Sequence, residues 1–253
     1  MRKLIIVDSG LVMHKAIFSF MVSEQIPPVY TYFRMILGYL RILEATLDDL
    51  IIVAQDYGSW RKEVDPSYKA QRREFRESKK PPEWWAAVYK EFNNFIPKLD
   101  KCMPWHFPKI YKMESDDLAS VAVRFLNDYD EKILVSTDED WQQLCSIPNV
   151  KVFSPYSKKF KIVENPEKIL LKKIRGDVSD NLLEAPKNEK EYEIRKMIVD
   201  LLHLPDHIEQ AIKEVILNLP LKSLYLEKVP FHSCKVIVKK LYNIEKELYP
   251  KEE

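Results

Sequence analysis

The sequence predicts an α/β fold in which helices flank a central, mostly parallel sheet. Two short apolar runs, 4–7 and 50–54, have the composition of buried parallel strands, and a stretch with helical spacing of apolar residues follows the first. An aspartate closes or closely follows each run, at Asp8 and Asp56. Ligands of open α/β sheets bind beyond the carboxyl ends of the strands, so these aspartates predict a functional site at that edge.

The other elements are predicted in order by the same patterns. Strands are expected at 105–110, 133–135 and 150–153, with a basic hairpin at 158–163. Helices are expected at 11–21, 29–47, 83–99, 117–127, 141–145, 166–174 and 189–202. The aromatic residues of the 83–99 helix share one face and are interpreted as core.

Composition excludes several classes of protein. The 253 residues carry a net charge of +1, and none of the three cysteines forms a CxxC pair, which argues against a zinc site or a disulfide framework. No apolar run reaches the length of a membrane span, and the first strand is too short for a signal sequence. We therefore expect an intracellular protein that does not enter a membrane.

Acidic residues gather at the ends of the predicted elements. The nine carboxylates concerned are Asp8, Asp56, Glu114, Asp116, Asp117, Asp138, Asp140, Asp177 and Asp180. Any single one has an ordinary explanation as a helix cap or turn residue. Carboxylates held together raise each other's pKa and stay ionised only when cations neutralise them, and oxygen ligands suit Mg²⁺ or Mn²⁺. The set as a whole therefore predicts a divalent-metal site.

A basic segment, 57–82, follows the second strand and interleaves cations with aromatic rings. Cations attract phosphates and rings can stack on bases, so we expect nucleic-acid contacts here; the alternative is an ordinary solvated helix or loop. The candidate contacts are Arg61, Lys62, Tyr68, Arg73 and Arg76. The histidines fall outside every motif and are expected to be ordinary surface or core residues: His14, His106, His203, His207 and His232.

Six short motifs, spread over residues 1–181, carry a resemblance to a known family. In chain order they are IVDSG, VAQD, SYKAQRR, ESDDLA, VSTDEDW and IRGDVSDN. Together they resemble the structure-selective 5′ nucleases, which include flap endonucleases and phage 5′-3′ exonucleases. Within that family the chain looks most similar to the T-even phage ribonucleases H. The resemblance implies a PIN-like catalytic domain at 1–181, an arch formed by 57–82 over the sheet edge, and a helical C-terminal region at 182–253 packed on it.

The resemblance also implies roles for the residues that match. All nine carboxylates match the family's acidic set, and two Mg²⁺ or Mn²⁺ ions are expected there. Lys69 and Arg72 match the arch residues that contact the scissile phosphate. The implied activity is 5′-3′ exonuclease or flap endonuclease cleavage during replication, including removal of RNA primers. The expected partners are DNA with 5′ ends, flaps or primers and a single-stranded-DNA-binding protein, and the protein is expected to be a monomer in the host-cell cytoplasm.

Two other functions remain open from the sequence. A PIN-type RNA endonuclease has a similar acidic sheet edge, and a non-catalytic nucleic-acid-binding module could keep the fold without the reaction. The chain also departs from the family, because no glycine follows Gly176 where a glycine-rich hairpin normally grips duplex DNA. We expect that hairpin to be deleted or replaced. No docking peptide is evident in the tail at 251–253.

Overall fold

A five-stranded sheet with strand order β2-β1-β3-β4-β5 lies at the centre of the protein in a computed structural model that describes residues 1–244. The strands are β1 (Lys3–Asp8), β2 (Leu50–Ala54), β3 (Glu131–Val135), β4 (Val150–Ser154) and β5 (Lys159–Phe160). The first four run parallel, and β5 pairs antiparallel with β4 as the predicted hairpin. The tail at 251–253, where no docking peptide was evident, lies outside the described residues.

Helices cover both faces of the sheet. They are α1 (Ser9–Ser23), α2 (Pro28–Ile42), α3 (Arg61–Val64), α4 (Gln71–Glu77), α5 (Pro82–Cys102), α6 (Ser115–Phe125), α7 (Pro166–Arg175), α8 (Glu189–Val199), α9 (Asp206–Ile216) and α10 (His232–Leu241). The helix expected at 141–145 is a 3-10 helix, Asp140–Ser146. None of the described helices is both long and apolar enough to cross a bilayer.

The strand expected at 105–110 is wrong. This segment runs beside β2 and forms isolated parallel bridges through His106 and Lys109. Pro108 lies between those bridges and has no N–H to donate, so a continuous ladder cannot form. The segment therefore covers the free edge of β2 without becoming a sixth strand, and it still leads the chain to Glu114.

The two faces of the sheet bury separate apolar cores. In β1, Ile5 and Val7 point into a core with α1, α2, α5 and α10, while Leu4 and Ile6 point into a core with α6 and α9. Strand side chains alternate between faces, so a strand covered on both sides must be apolar throughout. Of the helices after residue 181, α10 contributes to the first core and α9 to the second, while α8 packs in a smaller cluster with Tyr68, Ile174 and Leu182. The proposed boundary at 181/182 is not visible as a gap in packing and stays a prediction.

Candidate metal-binding active site

The parallel strands bring the acidic residues to one edge of the sheet. Asp8 ends β1, Asp56 follows β2, and Asp138 follows β3, the neighbour of β1 on its other side. They line a cleft with an empty volume of about 670 Å³. The cleft is completed by Gly10, Leu11, His14, Lys69, Arg72, Glu114, Ser115, Asp116 and Thr137. The topology therefore assembles the cleft from residues more than a hundred positions apart.

We call Asp8, Asp56, Asp116 and Asp138 the first carboxylate group. Each is held by neutral donors. Asp8 accepts from Leu11 N and Ser136 Oγ, both at 2.9 Å. Asp56 accepts from Ser115 N at 2.7 Å, Asp116 accepts from Trp141 Nε1 at 2.6 Å, and Asp138 accepts from Asp140 N at 3.0 Å. No Lys or Arg nitrogen of residues 1–244 forms an ion pair with these four carboxylates.

Two members of this group, Asp8 and Asp116, have raised pKa values. Burial, followed by the charge of Asp56, raises the pKa of Asp8 from 3.8 to about 7. Burial also raises the pKa of Asp116, and Asp138 and Glu114 add to that increase although Lys69 opposes it. Such carboxylates are poised to exchange protons for a cation. The donor set is all oxygen and lines an open cleft, so it fits Mg²⁺ or Mn²⁺.

Glu114 differs from the first group because protein cations hold it. Lys69 Nζ lies 2.7 Å from its Oε1, and Arg61 Nη1 lies 3.0 Å from its Oε2. Burial disfavours the charge of Glu114, but these two cations keep its pKa at about 2. Lys69 also approaches Asp180 at 3.8 Å, so it lies between two acidic clusters. Glu114 is a fixed anion that positions Lys69 at the cleft.

We call Asp140, Asp177 and Asp180 the second carboxylate group. One oxygen from each lies within 4.8 Å of the others, the spacing at which three ligands can hold one ion. Lys173 Nζ lies 3.0 Å from Asp140 Oδ1 and 2.5 Å from Asp177 Oδ2. Burial and the nearby Asp138 raise the pKa of Asp140 to about 7. Lys173 and Asp177 are four residues apart at the end of α7, a spacing that lets their side chains meet.

Three of the predicted site residues, Arg61, Tyr68 and Asp117, lie inside the protein. Arg61 and Tyr68 are 1% and 2% exposed, so the expectation that they contact nucleic acid is corrected. Arg61 instead bonds Glu114, Asp117 and the Ile198 carbonyl. Asp117 is fully buried beneath the cleft, where Arg61, Trp60 Nε1 and the Glu114 N–H occupy its oxygens. It supports the site from below and does not face a metal in the cleft.

Several other basic residues of 57–82 lie beside the cleft. Lys62, Arg72, Phe75 and Arg76 line a groove that continues from it, and Arg72 bonds Asp180 at 3.0 Å. Arg73 is exposed and pairs with Glu77 on the same helix. The segment is tied to the GDVSDN loop, since Lys69 N donates to the Asp180 carbonyl at 3.0 Å. The segment 57–82 therefore contains two short helices, α3 and α4, and is anchored at the second carboxylate group.

His14 is a site residue that sequence reasoning missed. It was expected to be an ordinary histidine, but it lines both the cleft and the groove. Gly10, His14 and Phe18 are spaced by four residues on α1 and so share the helix face that borders the site. That i, i+4, i+8 stripe was the available signal. Burial, with a contribution from Arg76, lowers the pKa of His14 and favours a neutral ring.

Two solved structures of phage nucleases have a similar fold. A phage T5 5′-exonuclease with bound zinc ions superimposes with a TM-score of 0.57 at 23% identity, covering 85% of each chain. A phage T5 flap endonuclease with DNA and metal ions does so with a TM-score of 0.57 at 22% identity, covering 97% of this chain and 100% of that one. The chain thus has the predicted 5′-nuclease, PIN-like fold.

Sequence comparison identifies the family, which similarity of fold alone does not. Residues 3–174 match the family model of the 5′-3′ exonuclease N-terminal, resolvase-like domain. The chain belongs to this 5′-3′ exonuclease family, as its motifs predicted. It is also 34% identical over 151 residues to a ribonuclease H of Enterobacteria phage T4, which confirms the predicted similarity to that branch. The match covers 58% of this chain and about half, 47%, of that relative.

Gly10 leaves no room for a side chain beside the first carboxylate group. A Cβ on Gly10 would lie 2.7 Å from Asp56 Oδ2. We expect Gly10→Ala to displace Asp56 and weaken Mn²⁺ binding by about tenfold, ~1.4 kcal/mol. Isothermal titration measures the loss. Gly38→Ala is the control, because nothing lies within 4 Å of a Cβ there and helical alanine should stabilise α2 by about 0.5–1 kcal/mol. Unchanged Mn²⁺ affinity in Gly10→Ala would contradict the prediction.

The raised pKa values predict how stability depends on pH when metal is removed. The folded-state pKa of Asp8 is about 7, against 3.8 for an ordinary aspartate. The folded state then holds more protons than the unfolded state between those values, so the free energy of unfolding falls as pH rises from about 4 to about 7. In EDTA we expect a higher melting temperature at pH 5 than at pH 8.

Added Mg²⁺ should remove most of that difference, because it supplies the compensating charge at high pH. Glu114, with a pKa of about 2, opposes the trend only at pH values below its ordinary 4.5. Thermal unfolding at both pH values, with EDTA and with Mg²⁺, is the measurement. Between about pH 4 and 6.5 His106 opposes the trend, because burial lowers its pKa from 6.5 to about 4, so the wild type is compared with Asp8→Asn. An equal difference between the two pH values in both proteins would show that Asp8 does not carry the expected strain.

Proposed function

We propose that the protein is a divalent-metal-dependent nuclease that hydrolyses phosphodiester bonds near the 5′ ends of DNA, at 5′ ends, flaps or RNA primers, during replication. The observation that carries the proposal is the first carboxylate group, Asp8, Asp56, Asp116 and Asp138, which lies at the sheet edge. Asp8 and Asp116 are buried, and no Lys or Arg of residues 1–244 forms an ion pair with any of the four. Bound Mg²⁺ would there activate a water molecule and stabilise the leaving oxygen.

The chain itself supplies the remaining charges. Lys69 and Arg72 border the same cleft, and we infer that both contact the scissile phosphate. Arg72 keeps a side-chain exposure of 49%, so it can turn from Asp180 toward a substrate. Lys69 is held at Glu114 and therefore presents its charge at a fixed place. Fixed charges stabilise a developing negative charge without reorganising during the reaction.

The groove beside the cleft supports binding of a nucleic-acid strand. It offers the cations Lys62 and Arg76 and the ring of Phe75, which is 55% exposed. Backbone phosphates would contact the cations, and an unpaired base could stack on the ring. We propose Lys62, Arg73 and Arg76 as the nucleic-acid contacts. We further propose that the protein acts as a monomer in the host-cell cytoplasm beside a single-stranded-DNA-binding protein.

The decisive experiment compares substrates labelled at the 5′ end. A 5′ flap duplex, an RNA-primed duplex and a single-stranded RNA are each incubated with Mg²⁺ and with EDTA. We expect short labelled products from the two duplexes in Mg²⁺ alone. Cleavage restricted to single-stranded RNA would identify a PIN-type endonuclease instead. Binding of the flap without cleavage in Mg²⁺ or Mn²⁺ would identify a non-catalytic module.

A further inference from the structure

Lys173 is a buried cation inside the second carboxylate group. The residue is 5% exposed, and its ammonium contacts both Asp140, at 3.0 Å, and Asp177, at 2.5 Å. The last turn of α7 delivers it from one side, and the 3-10 helix that starts at Asp140 closes the other. A lysine buried to this extent is retained only where carboxylates compensate the loss of its hydration.

The two carboxylate groups are therefore compensated differently. In the second group every member has a cationic neighbour: Lys173 pairs with Asp140 and Asp177, and Arg72 pairs with Asp180 at 3.0 Å. In the first group no member has an ion-pair partner within the described part of the chain. The first group is thus open to an external cation, whereas the second group already contains cationic side chains of the protein.

The spacing of the second group agrees with an occupied site. Its ligand oxygens lie within 4.8 Å of one another, although like charges repel. A divalent ion would need contacts of about 2.0–2.6 Å with the same oxygens. It would then share Asp140 and Asp177 with the ammonium and meet a like charge a few ångströms away. Lys173 and a tightly bound divalent ion therefore compete for one position.

We propose that the Lys173 ammonium serves as the built-in cation of the second carboxylate group, so that this chain binds one divalent ion tightly, at the first group, where the family resemblance implied two. The inference rests on the proposed function, because it takes the first group as a metal site. Lys173 then offsets one of the two negative charges of Asp140 and Asp177, and only one ion must be recruited for the site to be assembled.

Mn²⁺ binding tests the stoichiometry without relying on cleavage. Free Mn²⁺ is measured by electron paramagnetic resonance while the metal-free protein is titrated. We expect one tight ion per chain in the wild type and two in Lys173→Met, which removes the charge but keeps a long apolar stem. Lys172→Met is the matched control and should bind one, because that neighbouring lysine is exposed and pairs only with Glu139. Two ions of similar affinity in the wild type would overturn the inference and leave the proposed function intact.

A second pair of variants decides the matter even if Lys173→Met does not fold. Asp138→Asn, in the first group, should weaken Mn²⁺ binding at least tenfold. Asp140→Asn, in the second, should leave the affinity and the single ion unchanged within about twofold. The opposite ranking would place the tight ion at the second group and refute the role of Lys173. If the wild type bound no Mn²⁺ at all, the proposed function itself would be contradicted.

Discussion

Arg61→Met is expected to lower the free energy of unfolding by about 3–5 kcal/mol, the usual cost of removing one partner from a buried ion pair. Arg61 is 1% exposed and pairs with Glu114 at 3.0 Å and with Asp117 at 2.8 Å. Its Nε also donates to the Ile198 carbonyl, which joins α8 to the floor of the cleft. Methionine fills part of the volume but removes a buried cationic partner from Glu114 and from Asp117 and a donor from the Ile198 carbonyl.

Urea unfolding of the metal-free protein measures this loss. Arg73→Met, in the same basic segment, is the matched control, since the Arg73 side chain is 81% exposed and pairs only with Glu77. That substitution should change stability by less than about 0.5 kcal/mol. If the two variants were equally stable, the Arg61 ion pairs would not be structural, and a role in nucleic-acid binding would regain support.

Arg61 also shows what the sequence could not decide. Its neighbours Lys62 and Arg73 carry the same charge in the same segment, and only Arg61 is buried. Sequence patterning reports charge and spacing, whereas depth depends on which elements pack above a residue. The positions of the first-group carboxylates, in contrast, could be predicted from the sequence. These carboxylates follow parallel strands, and the ends of parallel strands meet wherever the helices pack.

The burial of Lys173 among carboxylates could not be predicted from the sequence, for a related reason. Lys173 lies among several lysines of α7 and pointed only to a basic surface. Its i, i+4 relation to Asp177 could be read from the sequence, but the approach of Asp140 requires the 3-10 helix, which is a distant part of the chain. The segment 105–110 failed differently, because its apolar composition suited a strand while Pro108 prevented a ladder. In both cases the deciding contact was made by another element.

Asp8→Asn is expected to reduce flap cleavage by at least about 100-fold, ~2.7 kcal/mol, while making the metal-free protein more stable at pH 8. Asparagine keeps the shape of Asp8 and can still accept from Leu11 N at the start of α1. It removes a buried charge that lies beside Asp56 and Asp138 and has no ion-pair partner among residues 1–244. The substitution therefore relieves repulsion in the folded state and removes a ligand that the proposed metal needs.

Opposite changes in activity and stability distinguish a functional carboxylate from a structural one. Substitution of a structural residue would lower both the activity and the stability of the protein. A site held in electrostatic strain instead becomes more stable when one charge is removed. Cleavage rates in Mg²⁺ and melting temperatures in EDTA at pH 8 are measured on the same preparation. Asp206→Asn, at the exposed start of α9, is the control and should change neither by much. Retained cleavage in Asp8→Asn, or a lower melting temperature in EDTA, would remove Asp8 from the proposed metal site, because its charge would then be either unused or needed for folding.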